Sequence, residues 1–271
     1  MLTINVLIST LNDGIERLMS GRFPEDEAVK YIVVHQVKDG YVLKGNIEKW
    51  LESRADFLYY RSNDTGLSKS RNLALSKSSS DIVIFCDDDV SYVNDAFDIV
   101  KNSFEKNRKI DIATFKVKTP TGFDFKKYNS ERFKHTNKTI FKVSSIEVAA
   151  KRESIISKEI EFDERFGLGT QLPASEENIF LLDCLKKGLN LNYFPNAINI
   201  HPMESSGRDW GNQKMRSSKL SFMYRCFNAI GFFVFLLFAI KKYPEYRKSV
   251  SFFSFFKENI DVFLNCYRNK N

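Results

Sequence analysis

The chain has 271 residues, of which 43% are hydrophobic and 28% charged, and its formal net charge at pH 7 is +7. This length allows one large domain, or one domain with an appendage, and is enough to bury a substantial core. The four cysteines are far apart and show no metal-binding or redox spacing, which predicts reduced packing residues in a cytoplasmic protein.

The charge is unevenly distributed along the chain. From Ser205 onward there are twelve Lys or Arg residues against four Asp or Glu residues, a net +8, which leaves −1 for residues 1–204. The body is therefore almost neutral and the tail is basic. A basic tail is typical of proteins that bind nucleic acid or an anionic membrane surface.

The first half of the chain alternates strand and helix patterns, which predicts an α/β fold with a mostly parallel sheet. The N-terminus has no signal-peptide pattern and predicts the first strand. The best helix pattern is Leu67–Lys77. The predicted strands are Thr3–Ser9, Tyr31–Gln36, Phe57–Arg61 and Asp81–Cys86. Ligands of such sheets bind beyond the carboxyl ends of the strands, where Thr10, Gln36 and an acidic run are expected.

The acidic run is Asp87, Asp88 and Asp89, directly after the last of these strands. Like charges ~4 Å apart repel each other by about 1 kcal/mol even in water. A divalent cation would reverse the sign of that interaction, since Mg²⁺ and Mn²⁺ prefer carboxylate and phosphate oxygens. The alternative is a solvated acidic turn that caps a helix over Asn94–Asn102.

The middle of the chain is less regular. Ile112–Val117 and Thr139–Val148 have strand patterns, and they are separated by a polar, aromatic and lysine-rich loop, Thr119–Lys138. A loop of that length is usually functional or disordered. A helix is predicted over Ser175–Lys187, with Ser175 as a candidate N-cap.

The tail contains Phe227–Ile240, a run without any charged residue, and a second aromatic stretch, Phe252–Leu264. As a helix the first run is about 21 Å long, which is too short for the ~30 Å hydrocarbon core of a bilayer. Phe with flanking Lys and Arg suits a helix that lies in the membrane interface. The alternative is a helical hairpin that packs on the main domain or on a dimer partner. Contiguous Phe argues against nucleic acid.

Five motifs in this order resemble the family 2 glycosyltransferases of the GT-A fold, which transfer a sugar from a nucleotide diphosphate. The resemblance covers roughly Thr3–Gly207. The motifs are Ser9-Thr10-Leu11-Asn12, the segment Gly66 to Ala74, Asp87 to Asp89, Phe162 to Gly167 followed by Glu176-Glu177-Asn178, and His201-Pro202.

The resemblance implies a Rossmann-like GT-A fold and a metal-dependent, inverting transfer with Mn²⁺ or Mg²⁺. It implies Asp89, Asp87 and His201 as metal ligands, although a lone His can equally be structural. It places Asp87 and Asp88 at the nucleotide. Its acidic pair makes Glu177 the base and lets Glu176 bond acceptor hydroxyls; the same acids would also suit a helix N-terminus.

Other residues are candidates for binding the nucleotide. Thr10 and Asn12 offer a hydroxyl and an amide to a nucleoside, or else cap the next helix. Arg71 could bond phosphate or base, or be an exposed helical arginine. The chain lacks the family's usual aspartate after the second strand, so we expect Gln36, or Asp39 as a displaced acid, to contact the base.

These expectations describe a GT-A domain over residues 1–207 and a helical, basic and aromatic extension over residues 208–271. The expected activity moves a sugar, from a UDP-sugar in particular, to a glycan or polyprenyl-diphosphate-linked acceptor. The protein would be peripheral on the inner face of the cytoplasmic membrane, in bacterial O-antigen or capsule synthesis, with a homodimer through the tail as an alternative. A GT-A-like nucleotidyltransferase and a non-catalytic carbohydrate-binding or scaffold protein are the rival functions.

Overall fold

The structure is a computed structural model that describes residues 1–38, 40–203, 211–228 and 230–268, with only the backbone at 263 and 265–268. The strands are β1 (Ile4–Leu11), β2 (Val29–Gln36), β3 (Phe57–Ser62), β4 (Ile82–Asp87), β5 (Ser91–Tyr92), β6 (Ile112–Lys118), β7 (Phe133–Lys134), β8 (Val148–Lys151) and β9 (Leu191–Ile200). The helices are α1 (Glu16–Ser20), α2 (Gly45–Ser53), α3 (Leu67–Lys77), α4 (Ala96–Glu105), α5 (Arg152–Ile156), α6 (Glu176–Lys186), α7 (Gln213–Phe227), α8 (Ile230–Tyr246) and α9 (Phe252–Arg268).

The strands form a single mixed sheet in the order β3-β2-β1-β4-β8-β6-β9-β5, with β7 also paired to β9. The first four of these are parallel, β8 runs antiparallel to both β4 and β6, and β9 is parallel to β6. The predicted α/β class with a mostly parallel central sheet is therefore confirmed.

Both faces of the sheet are covered, which explains the continuous apolar runs of its central strands. Along β1, Val6 and Ile8 join one buried cluster and Leu7 joins the other, because alternate side chains point to opposite faces. Helix α3 packs over β1 and β2. Its bounds are those predicted from the sequence.

The strand predicted over Thr139–Val148 is wrong. The chain there forms two short 3-10 turns, Ile140–Lys142 and Ser145–Glu147, and extends only from Val148. The physical reason is that the Asn178 amide of α6 donates to the carbonyls of Ile140 and Val143. These acceptors are satisfied outside the sheet, so the segment needs no strand partner.

The tail forms three helices that share a small core, built around Leu220, Phe235 and Phe255. Phe227 ends α7, and the predicted tail helix begins only at Ile230. Helix α7, which was not predicted, also packs Phe222 into the main core. The predicted boundary after residue 207 lies outside the described residues. No helix in the described part of the chain has the length and hydropathy needed to cross a membrane.

Candidate functional site

The carboxyl ends of β1, β2 and β4 meet at a cleft of about 730 Å³, which we call the aspartate cleft. The parallel register places Ser9 of β1 opposite both Val34 of β2 and Asp87 of β4. The residues after these positions therefore converge. The predicted site residues that line the cleft are Thr10, Gln36, Asp87, Asp88, Asp89 and His201.

The Asp88 carboxylate is turned into the protein. Its Oδ2 accepts a 2.6 Å hydrogen bond from Thr10, and its Oδ1 accepts two from Arg17, at 2.9 and 2.6 Å. Burial raises the pKa of Asp88 despite these partners. Gly14 packs so closely here that a Cβ at this position would lie 2.2 Å from Asp88 Oδ2. Asp88 thus fixes the loop after β1.

Asp89 faces His201, with 3.1 Å between Asp89 Oδ1 and His201 Nε2. Asp89 Oδ1 is buried and accepts no well-formed hydrogen bond from the described residues. Burial acts to raise the pKa of Asp89, but His201 lowers it below the usual value. Burial likewise acts to lower the pKa of His201, but Asp89 raises it.

The donor set of this pair fits a divalent cation. His201 Nδ1 lies 2.5 Å from the Pro202 carbonyl, which can only accept, so this nitrogen carries a hydrogen. In the neutral ring, the Nε2 lone pair then faces the Asp89 oxygen, and either a proton on Nε2 or a metal cation would satisfy both atoms. No group of three His, Cys, Asp or Glu side chains in the described residues could hold a metal alone. A cation here would need further oxygens, such as those of substrate phosphates.

A second cavity of about 250 Å³, the glutamate cavity, adjoins the cleft. Glu176, Glu177 and Lys219 line it. Burial and the charge of Glu176 raise the pKa of Glu177 to about 8. Burial lowers the pKa of Lys219, which comes from α7. Asp87 and His201 line both the cleft and this cavity.

Arg71 bonds to carboxylates of both cavities. It is only 1% exposed. Its guanidinium donates to Glu176 Oε1 at 2.9 Å, to Asp87 Oδ1 at 3.0 Å and to Ser145 Oγ at 2.7 Å. It is thus not an exposed helical arginine, and its charge holds one carboxylate of each cavity in place.

Some predicted site residues have their polar groups engaged elsewhere. The Gln36 amide nitrogen donates to the carbonyls of Asp64 and Gly66, so only its oxygen could contact a base. Asn12 does not line the cleft, and its side-chain oxygen accepts from the Lys38 amide. Asp39 lies outside the described residues. The binding and catalytic roles of all these residues stay predictions.

The Ser- and Asn-rich motif on α3 makes mainly internal contacts. Ser68 donates to the Phe166 carbonyl, Ser70 to Ser9, and Asn72 to the Phe162 carbonyl. Ser175 occupies the predicted N-cap position of α6, with φ 75°, but its side chain forms no capping hydrogen bond. Its left-handed backbone aims the start of α6, a strained conformation that is frequent at functional sites.

Three residues of the site were not predicted from the sequence, namely Arg17, Ser145 and Lys219. Arg17 lies 71 residues from its partner Asp88, and Ser145 lies 74 residues from Arg71. Because such contacts arise from folding alone, they leave no local motif. A basic residue shortly after β1 is the sequence signal that could have pointed to Arg17.

Residues 34–161, a little under half of the chain, match the family model described as glycosyl transferase family 2. This central segment of the chain is similar to glycosyl transferase family 2. The match supports the family predicted from the motifs over this segment. No curated protein sequence matches this chain significantly.

Solved structures with the same fold include S. aureus TarS 1–349, at 15% identity and a TM-score of 0.64, over 89% of this chain and 74% of that chain. TarS 1–349 in complex with UDP is 15% identical with a TM-score of 0.60, over 93% of this chain and 74% of that chain. TarS 1–349 in complex with UDP-GlcNAc is 15% identical with a TM-score of 0.62, over 98% of this chain and 79% of that chain. At this identity the likeness establishes the GT-A fold of the chain.

Proposed function

We propose that this protein is a glycosyltransferase that moves a sugar from a UDP-sugar donor to a hydroxyl of a glycan or polyprenyl-diphosphate-linked acceptor, with inversion at the anomeric carbon. The observation that carries the proposal is the common wall of the two cavities, lined by Asp87 and His201. It lets a donor in the aspartate cleft meet an acceptor beside Glu177. The structures of TarS with UDP and UDP-GlcNAc support the choice of donor.

Glu177 is the proposed base. It takes the proton of the acceptor hydroxyl as that oxygen attacks the anomeric carbon from the face opposite the diphosphate. A base works best with a pKa near the working pH, and burial beside Glu176 raises that of Glu177 to about 8. Arg71 holds Glu176 and so orients the start of α6, where Glu176 is placed to bond the acceptor.

Asp89 and His201, with Asp87 beside them, would hold Mn²⁺ or Mg²⁺ together with the donor phosphates. When bound, the metal supplies Lewis-acid neutralisation of the charge on the departing diphosphate. We infer from the sequence that Thr10, Asn12, Gln36, Arg71 and Asp88 shape the nucleotide side, Arg71 and Asp88 through their contacts with other protein groups.

The exposed face of α8 supports the proposed peripheral position on the inner face of the cytoplasmic membrane. Ile230, Phe233, Leu237 and Ile240 are 58–70% exposed and follow helical spacing. Together with the basic tail they suit an anionic membrane surface, as in the assembly of bacterial O-antigen or capsule. A homodimer through the same helices is the competing use of this face.

The decisive experiment screens nucleotide sugars by thermal shift, with and without Mn²⁺, and then measures transfer with the sugar that binds. A ligand that binds only the folded state raises its apparent stability. We expect Asp89→Asn to lose the Mn²⁺-dependent part of the shift, and Glu177→Gln to keep the shift but lose transfer. Glu105→Gln, an exposed carboxylate on α4, is the matched control.

Two outcomes would overturn the proposal. One is sugar transfer that survives both substitutions. The other is release of a sugar 1-phosphate instead of a nucleoside diphosphate, because attack at the α-phosphorus of the nucleotide sugar would identify a nucleotidyltransferase.

A further inference from the structure

We propose that a third cavity, next to the glutamate cavity, binds an anionic part of the acceptor glycan, one that carries phosphate or carboxylate groups. The inference rests on the proposed function and names the acceptor chemistry of the same site. This lysine cavity has a volume of about 330 Å³. Four lysines line it, namely Lys126, Lys127, Lys138 and Lys142.

The residues that line the lysine cavity carry more positive than negative charge. Lys126 Nζ lies 2.5 Å from the buried Glu147 Oε1, so this lysine is neutralised. Lys127, Lys138 and Lys142 are exposed and form no ion pair with any described residue. These three positive charges belong to a body whose net charge is only −1 over residues 1–204. A concave surface of one sign concentrates ligands of the opposite sign.

The other wall of the cavity is aromatic. Tyr193 stacks against Phe133 at 4.9 Å and against Tyr128 at 6.4 Å between ring centroids. Tyr128 also donates to Glu147, and Tyr193 to the Asn129 carbonyl, so both rings are held in place. Rigid aromatic rings with a few placed polar groups are typical of small-ligand sites, and the C–H face of a sugar ring can pack on them.

The lysine cavity is continuous with the proposed reaction site. Lys142 and Val143 line both the lysine cavity and the glutamate cavity. Asn178, next to Glu177 on α6, donates to the Val143 carbonyl at 3.0 Å and fixes this shared wall. A glycan whose hydroxyl reaches Glu177 can therefore extend over Lys142, with its next anionic group beside the three lysines.

The test compares the variant K127E/K138E/K142E with a matched control, K49E/K158E/K187E, whose lysines are exposed and line none of the three cavities. The probe is dextran sulfate, with neutral dextran as the uncharged reference, and its affinity is measured by calorimetry at low and high salt. We expect the first variant to bind dextran sulfate about tenfold more weakly than the wild type, and the control within about twofold. The neutral variant K127Q/K138Q/K142Q should fall between them and guards against misfolding of the charge-reversed chain.

Equal binding by K127E/K138E/K142E and the wild type would overturn the inference. So would a variant that keeps dextran sulfate binding but loses binding to anionic phosphatidylglycerol vesicles, since the lysines would then serve a membrane. The thermal shift by UDP and Mn²⁺ is measured on the same samples. Its absence from the wild type would contradict the proposed function, whereas an intact shift without a lysine effect contradicts only the acceptor chemistry.

Discussion

Arg71 and Glu176 form a buried ion pair of 2.9 Å that ties the middle of α3 to the first residue of α6. The same guanidinium contacts Asp87 at 3.0 Å. One cation thus fixes a carboxylate of the aspartate cleft relative to a carboxylate of the glutamate cavity. The spacing between the two halves of the proposed reaction is set by a residue that solvent hardly reaches.

Replacing Arg71 by Met should destabilise the fold by about 3–5 kcal/mol, because Glu176 would remain as a buried charge without its partner. Urea unfolding measures this loss. Lys69→Met, an exposed change on the same helix, should stay within about 0.5 kcal/mol of the wild type. The double change R71M/E176Q should recover part of the loss, and a loss below about 1 kcal/mol for R71M would contradict the pairing.

The transfer rate should depend on the ionisation of Glu177. Its pKa is raised to about 8 by burial and by Glu176, and only the deprotonated carboxylate can accept a proton. We therefore expect kcat/KM to rise about tenfold per pH unit below that value and to level off above it. A profile that is flat between pH 6 and pH 8.5 would exclude Glu177 as the base.

Glu177→Gln should also stabilise the protein at alkaline pH. The folded-state pKa lies above the ordinary value of 4.5, so the folded chain holds this proton more tightly than the unfolded chain does. The stabilisation that the carboxyl contributes is complete below pH 4.5 and is lost as the pH rises to about 8. The gain in Tm of E177Q over the wild type should therefore be larger at pH 9 than at pH 5.

Lys219→Met should shift the rise of kcat/KM to higher pH. The reason is that the charge of Lys219 lowers the pKa of Glu177. The shift should come with retained donor binding, measured by the UDP thermal shift. Lys214→Met, an exposed change on the same helix α7, is the control and should leave the profile in place. An unchanged profile for K219M would show that α7 does not act on the base.

Gly14→Ala should disturb the loop after β1. The added Cβ would lie 2.2 Å from Asp88 Oδ2 and 2.8 Å from Thr10 Oγ1, so the Thr10–Asp88 hydrogen bond must break or shift. We expect a destabilisation of about 1–3 kcal/mol and weaker nucleotide binding. Gly45→Ala meets nothing within 4 Å and should be neutral or slightly stabilising.

The apolar face of α8 can be tested without truncating the chain. F233Q/L237Q should reduce co-sedimentation with anionic liposomes, because both side chains are exposed and would enter the interface. The control V42Q/F123Q removes two exposed apolar side chains that lie outside the tail in the sequence, and it should bind liposomes like the wild type. A change of oligomeric mass with unchanged liposome binding would assign this face to a dimer.

The sequence predicted most of what depends on local pattern. The bounds of α3, the four parallel strands and the meeting of Thr10 with Asp87 to Asp89 at one sheet edge follow from apolar runs and strand polarity. Contacts between distant segments could not be predicted in this way. The pairing of Arg17 with Asp88 is one example. Another is the segment Thr139–Val148, where the Asn178 amide binds backbone carbonyls and 3-10 turns form instead of the predicted strand.

Helix α7 supplies Lys219 to the glutamate cavity, and Arg225 anchors it to Asp163 and Asp183. A fragment that stops near residue 207 therefore lacks a wall of the cavity as well as the tail. Its inactivity would not separate a membrane requirement from a damaged site. The proposed membrane binding and the proposed chemistry therefore have to be separated by point substitutions, at Lys219 of α7 and at the exposed apolar residues of α8.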